Sequence, residues 1–307
     1  MPSPEALQYA KMLRSAPKMV EMALSDQRAA GERAEALTTE PNDIRYEPIA
    51  EERVHGLWAV PKIDAAHCAI LYLFGGGHII SSVNSRRKFA GHLANAAGCR
   101  VLIADYRLAP EHPFPADVED ATAAYRWLLE LDHDPTHLAI GGESSAGGLT
   151  MSTLLSLRRL GIPLPAGAFL LSPWIDLTCG GETHQTKREV DLTVTTAGLR
   201  RMVKRYLGDH DPYDPLVAPL EADLSGLPPF LIQVGGDEIL LDDAVQLARR
   251  AGMAGTMATL EIWPSMQHFF QIAVGLFPEA GAAVARIGAW LRERVGVERL
   301  TDSDKPA

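Results

Sequence analysis

From about residue 66 onward, short apolar runs alternate with stretches in which apolar residues recur every three or four positions. The runs 69–74, 101–105, 138–141, 168–171, 230–234 and 260–263 are nearly continuous in apolar residues and read as strands buried on both faces. Between them, residues 84–97 set Phe89, Leu93 and Ala97 on one helical face, and residues 116–131 set Val118, Ala121, Tyr125 and Leu128 on one stripe. Residues 146–160, 242–253 and 278–295 continue the helical pattern. Strands alternating with helices imply an α/β fold, with a mostly parallel sheet covered by helices on both faces.

Two stretches depart from this alternation. Residues 4–30 carry Leu7, Ala10, Leu13, Val20, Ala23 and Leu24 among charged residues, an amphipathic helical pattern that Pro17 splits or restarts. Within 179–214, Leu192, Val194, Leu199, Met202, Val203, Tyr206 and Leu207 fall at helical spacing after a polar loop. Such an insertion over the carboxyl ends of the strands reads as a lid, and a pair of surface helices without a role is the plainer alternative.

Composition narrows the class. The chain has 307 residues, 47% hydrophobic and 22% charged, enough to bury a substantial core. Its formal net charge of −10, without a Lys/Arg cluster, speaks against nucleic acid or an anionic membrane surface as partner. The first 27 residues interleave charges with apolar residues and read as neither a signal peptide nor a membrane span. Cys68, Cys99 and Cys179 are odd in number and widely spaced, with no ligand-like spacing to a histidine. That speaks against a disulfide framework or a structural zinc site and suggests a reducing, cytoplasmic setting. Cys68 and Cys99 read as small core residues.

The chemistry concentrates at 141–148, Gly-Gly-Glu-Ser-Ser-Ala-Gly-Gly, between an expected strand and an expected helix. A nucleophilic hydroxyl must stand clear of the backbone, so its turn is tight and its neighbours small. A serine on such a strand-to-helix turn is the nucleophile elbow of α/β-hydrolases; a Gly/Ser loop ending a strand is the plain alternative. Other candidates also follow strand ends, where open α/β sheets gather their working groups. They are Phe74-Gly75-Gly76-Gly77-His78, the adjacent Asp237 and Glu238, and His268. Their order, serine then acid then histidine, is the α/β-hydrolase order. His112 reads as a loop-packing residue.

Longer motifs support the same reading. They are Asp105-Tyr106-Arg107-Leu108-Ala109-Pro110-Glu111-His112-Pro113-Phe114-Pro115-Ala116, the 171–177 segment Leu-Ser-Pro-Trp-Ile-Asp-Leu, and the segments 214–220, 226–229, 240–243 and 263–270. With these, the chain resembles the bacterial carboxylesterases of the hormone-sensitive lipase family over residues 55–295. The resemblance implies an α/β-hydrolase fold with an eight-stranded, mostly parallel sheet and a helical cap. It divides the chain into N-terminal cap helices at 1–45, a catalytic domain at 46–300 with a cap insertion at about 179–214, and a tail at 301–307, which is expected to be disordered. It implies hydrolysis of small, short- to medium-chain acyl esters through an acyl-enzyme, with Ser144 as nucleophile, Glu238 as acid and His268 as base. The backbone N–H groups of Gly76, Gly77 and Ser145 would form the oxyanion hole. No cofactor or metal is implied, and a homodimer would form through the last core strand, 259–263.

The chain also departs from the family. Phe74 stands where the family has a histidine before its glycines, and His78 where it has an aromatic residue. Ala146 replaces the second glycine of the elbow. Sliding the frame by one would make Ser145 the nucleophile but would put Glu143 in the crowded position before it. Asp237 remains the alternative acid. An amidase or peptidase on the same fold, or a non-catalytic ligand-binding homologue, are the alternative functions.

Overall fold

The computed structural model describes residues 1–16 and 22–297. Its sheet has eight strands: β1 (Ile44–Ala50), β2 (His55–Pro61), β3 (Ala69–Leu73), β4 (Arg100–Ala104), β5 (Leu138–Glu143), β6 (Gly167–Leu171), β7 (Phe230–Gly235) and β8 (Ala258–Trp263). Their spatial order is β1-β2-β4-β3-β5-β6-β7-β8. β1 and β2 form an antiparallel hairpin, β2 runs antiparallel to β4, and every other pairing is parallel. The helices are α1 (Pro4–Ser15), α2 (Leu24–Arg33), α3 (Val83–Ala97), α4 (Ala116–Glu130), α5 (Ser145–Arg159), α6 (Thr183–Thr186), α7 (Thr196–Leu207), α8 (Leu241–Met253) and α9 (Pro278–Val295).

The central strands β3, β5, β6 and β7 are buried at every residue, as their unbroken apolar runs require when helices cover both faces. Outside the 179–214 insertion, every strand and helix expected after residue 66 is present, with ends displaced by two residues or fewer. Of the β1–β2 hairpin, only β2 has a short run of this kind, buried from Trp58 to Pro61. β1 alternates half-buried with exposed residues and carries Arg45, Glu47 and Pro48, the composition of a sheet edge.

The N-terminal pattern resolves into two short helices. α1 buries Ala6 and Tyr9, whereas Leu7 points outward and is 58% exposed. Ser3 caps α1 by accepting the Ala6 N–H and donates its own N–H and hydroxyl to the Glu279 carboxylate at 2.6 and 2.8 Å, while Tyr9 packs on Phe277. These contacts fix α1 to the start of α9. Pro17 and Val20 fall outside the described residues, as does the 301–307 tail. In the 179–214 insertion, α6 is a single turn and α7 begins only at Thr196. Leu192 and Val194 therefore belong to an irregular strap rather than to the helix expected there; Asp191 turns the chain by accepting the N–H groups of Thr193 and Val194 and the Thr193 hydroxyl on one carboxylate oxygen. All three cysteines are buried free thiols. Among the described residues, no helix is long and apolar enough to cross a membrane, and no cluster of three or more His, Cys, Asp or Glu side chains is arranged to hold a metal ion.

α8 is pinned to the loop after β6 by Asp243, whose Oδ2 accepts the N–H groups of Ile175 and Asp176 at 2.8 and 2.9 Å. Burial raises this carboxyl to about 8, against the downward pull of those two bonds. The folded protein thus keeps a proton that the unfolded chain releases near 3.8, and stability falls as pH rises through that interval. His184, lowered by burial from 6.5, imposes the opposite trend below its ordinary value; His268, held above its ordinary value, adds to the fall above 6.5, so the share of Asp243 between 6.5 and 8 is the difference between the unaltered protein and a variant that lacks this carboxyl. In Asp243→Asn the amide oxygen still accepts both N–H bonds and nothing titrates. Melting temperatures measured across that window should drop for the unaltered protein relative to the variant; parallel curves would contradict the assignment.

Candidate active site

The chain passes from β5 to α5 through one residue. Ser144 has φ 56° and ψ −124°, a backbone conformation costing about 1–3 kcal/mol for a residue with a Cβ. Hydrogen bonds on both sides hold it. Its N–H donates to Leu171 O at 2.9 Å, and its carbonyl accepts from Gly147 and Trp174 at 2.9 and 2.8 Å. The turn leaves no room two residues earlier. A Cβ on Gly142 would lie 2.7 Å from the carbonyl oxygens of Leu73 and Ala146 and 2.8 Å from the Ala146 methyl. Ser144 is half-buried at the apex, while Ser145 is already the first residue of α5 and fully buried, its hydroxyl accepting the His78 N–H at 3.2 Å.

Glu143 avoids the crowding by turning into the core. Its carboxylate accepts Arg86 Nε at 2.8 Å and the Tyr72 hydroxyl at 2.6 Å, and all three side chains are buried. Such a desolvated pair persists only when its hydrogen-bonding groups are met. Arg86 also donates to Ser81 and lies 5.7 Å above the Phe269 ring, beside His268.

The loops after β7 and β8 bring the acid and base candidates together. Glu238 is fully buried; its Oε1 accepts the Ser172 hydroxyl at 2.6 Å and the Gly235 N–H at 2.5 Å, and its Oε2 lies 2.9 Å from His268 Nδ1. Asp237 lies half-buried on the same loop, 3.7 Å from the Lys187 ammonium. Burial alone would lower the His268 imidazole, but the hydrogen bond and charge of Glu238, with the charges of Asp191 and Glu143, hold it above its ordinary value. Ser172 sits at the end of β6 with φ 45°, and its hydroxyl also accepts the Phe269 N–H at 2.9 Å, so one buried hydroxyl joins the acid loop to the base loop.

In the glycine loop after β3 it is Gly75 that lies against the elbow, where a Cβ would come 3.0 Å from the Ser144 Cβ, and Gly76 and Gly77 follow it. Gly77 has φ 64°, and a Cβ there would collide with the Met202 sulfur of α7. Phe74, in the place of the family histidine, stacks on Tyr106, whose hydroxyl donates to the Phe74 carbonyl. His78 is buried, its Nδ1 2.8 Å from Asp117 Oδ2 and its ring stacked on Tyr206 at 3.8 Å between centroids; the Tyr206 hydroxyl donates to the other Asp117 oxygen at 3.0 Å. From α2, Arg28 donates to Ile79 O and Ala109 O and pairs with Glu111. Both α2 and α7 thus bear on the glycine loop. His112 is exposed rather than packed into its loop.

Sequence reasoning did not single out Ser172, Asp117, Asp191 or Gln267. Ser172 was within reach, because it ends a strand as the other candidates do. The other three declare themselves only through partners distant in sequence.

Comparison with known proteins agrees with this architecture. The family described as "alpha/beta hydrolase fold" matches residues 70–272. An acetyl-hydrolase of Streptomyces hygroscopicus is 42% identical over 272 residues, covering 84% of this chain and 91% of that protein. An esterase of Acinetobacter venetianus is 34% identical, covering 80% of each. Among solved structures, an esterase from the bacterial hormone-sensitive lipase family superposes with a TM-score of 0.92 at 43% identity, covering 96% of this chain and 100% of that one. The chain belongs to the bacterial hormone-sensitive lipase family of α/β-hydrolases and, with it, to the carboxylesterases.

Proposed function

We propose that the chain hydrolyses small, short- to medium-chain acyl esters through a Ser144–His268–Glu238 triad. Ser144 Oγ attacks the ester carbonyl as His268 Nε2 takes its proton; the alcohol leaves with that proton, and water then releases the acid from the acyl-enzyme by the reverse transfer. Glu238 fixes the imidazole tautomer through Nδ1 and stabilises the imidazolium. The N–H groups of Gly76, Gly77 and Ser145 receive the oxyanion, and the N-terminus of α5 adds a favourable positive end. The observation that carries this reading is the 2.9 Å contact of His268 Nδ1 with a fully buried Glu238. That contact leaves Nε2 for the nucleophile. The strained backbone of Ser144 supports it over Ser145, and the Asp237–Lys187 pair supports Glu238 over Asp237. The Met202 side chain over Gly77 limits the space beside the oxyanion loop and favours small acyl groups. The name of the Streptomyces relative, an acetyl-hydrolase, points the same way.

We further propose a homodimer. β8 ends the sheet with β7 as its one strand neighbour, and its edge exposes Ile262 at 47% with Met253 and Met257 nearby in sequence. An open edge of this kind favours pairing with a second copy across a two-fold axis.

Ser144→Ala should abolish covalent labelling by an organophosphonate, while Ser145→Ala should still be labelled and turn over p-nitrophenyl butyrate. A phosphonyl adduct mapped to Ser145 in the unaltered enzyme would overturn the assignment. Glu238→Ala should lower kcat by about four orders of magnitude and Asp237→Ala by far less; equal, mild losses would exclude both as the acid.

Removing the Ser172 hydroxyl strips one donor from Glu238 and leaves the buried Phe269 N–H unpaired. Ser172→Ala should therefore reduce kcat about tenfold, the equivalent of one charge-assisted hydrogen bond, with KM nearly unchanged. Light scattering at micromolar concentration should give twice the 33.3 kDa chain mass, and a monomer mass would refute the dimer.

A further inference from the structure

The strap between α6 and α7 lies on both loops that carry the acid and the base. Asp191, a buried residue of the strap, accepts the Ile239 N–H on Oδ2 at 2.9 Å, and Ile239 directly follows Glu238. Its other oxygen accepts the N–H groups of Thr193 and Val194 at 2.9 and 2.8 Å and the Thr193 hydroxyl at 3.1 Å, so the strap is folded around the same carboxylate. On the other side, Gln267 directly precedes His268. Its Oε1 accepts the Leu192 N–H at 2.8 Å, and its Nε2 donates to Val190 O at 3.1 Å. Residues 190–194 therefore tie together the neighbours of Glu238 and His268, whose own side chains meet at 2.9 Å.

We propose that Asp191 is a positioning residue for ester hydrolysis, holding the Glu238 loop against the His268 loop from the cap and supplying negative potential at the imidazole. The proposal rests on the Ser144–His268–Glu238 reading. Asp191 hydrogen-bonds to a backbone N–H beside the acid and acts on the reacting atoms only through it and through charge. A carboxylate suits the place because it can accept from both sides, and a charge-assisted acceptor binds N–H groups more strongly than a neutral one. The groups bearing on His268 come from several elements: Glu238 after β7, Asp191 on the strap, Glu143 at the end of β5, and Arg86 on α3, whose guanidinium lies over Phe269 and is paired with Glu143. On the outer side of the acid loop, Asp237 is paired with Lys187.

The sign of the effect follows. His268 must be neutral to act as base, so kcat/KM is lost as pH falls through its raised value. Removing the Asp191 charge lowers that value and moves the acid limb to lower pH.

The test compares full-length Asp191→Asn, Asp191→Glu and Gln267→Met with the unaltered enzyme on p-nitrophenyl butyrate, recording kcat and KM from pH 5 to 8. Asp191→Asn keeps an acceptor for the strap turn but loses the charge and faces the Ile239 N–H with a poorer partner. It should shift the acid limb to lower pH and reduce plateau kcat about tenfold, the loss of about one charge-assisted hydrogen bond, with KM within twofold. Asp191→Glu keeps the charge and should retain the acid limb of the unaltered enzyme. Gln267→Met cuts the second tie without changing charge and should lower kcat with the acid limb unmoved. If Asp191→Asn does not fold, the Glu and Met variants still decide, because a displaced acid limb in either would overturn the charge assignment. An Asp191→Asn enzyme with unchanged acid limb and kcat would overturn the proposal outright. Failure of the underlying triad would register separately, as full activity in His268→Ala.

Discussion

Ser144 takes the chain from strand to helix in a single residue, and much of the surrounding structure exists to permit it. A positive φ at a residue with a side chain is tolerated only where neighbouring bonds over-determine it. Here the Leu171 carbonyl and the N–H groups of Gly147 and Trp174 do so. The strain propagates as a steric demand: no side chain at 142, a small one at 146, and a Glu143 that must leave the crowded turn for the core. Once Glu143 goes inward, Arg86 and Tyr72 must follow to satisfy it. That fixes α3 against β3 and β5 beside the base loop.

The acid and base loops obey a related constraint. A fully buried carboxylate is costly unless its oxygens are bonded. Glu238 meets that condition with Ser172 after β6, Gly235 at the end of β7 and His268 after β8. Satisfying the charge and assembling the site are thus one event. The imidazole lies among several carboxylates, with Arg86 balancing one of them, so its proton affinity reflects the whole loop cluster rather than a single partner.

How much of this was legible in the sequence follows from how local each signal is. Strands buried on both faces and helices packed on them announce themselves by apolar periodicity, so the elements after residue 66 fall where the pattern puts them. β1 was silent because an edge strand carries polar and proline residues on its open side; β2, which pairs with both β1 and β4, does carry an apolar run at 57–60, but it lies before the alternation that begins near residue 66. Leu192 and Val194 continued a helical spacing that the Asp191 turn overrides. Glu238, His268 and the two serines were recognisable from motif order, and the structure sets Glu238 against His268 while Asp237 goes to Lys187. Asp191, Gln267 and Asp117 were not legible, since each matters only through groups tens of residues away. The exchange of Phe74 and His78 was visible as a departure, but its resolution required Asp117 and Tyr206, which no spacing connects.

That last network bears on modularity. The 179–214 insertion is continuous in sequence and would look like a unit that could be exchanged on its own. In this chain the seam does not run along the segment boundary. Tyr206 belongs to α7, within the insertion, but the carboxylate it bonds is Asp117 of α4, shared with His78 of the glycine loop. A grafted insertion without Tyr206 would leave the buried Asp117 with one donor fewer, and a recipient without Asp117 would bury an unmatched phenol. The natural unit of exchange is α7 together with positions 78 and 117, a module discontinuous in sequence and contiguous in space.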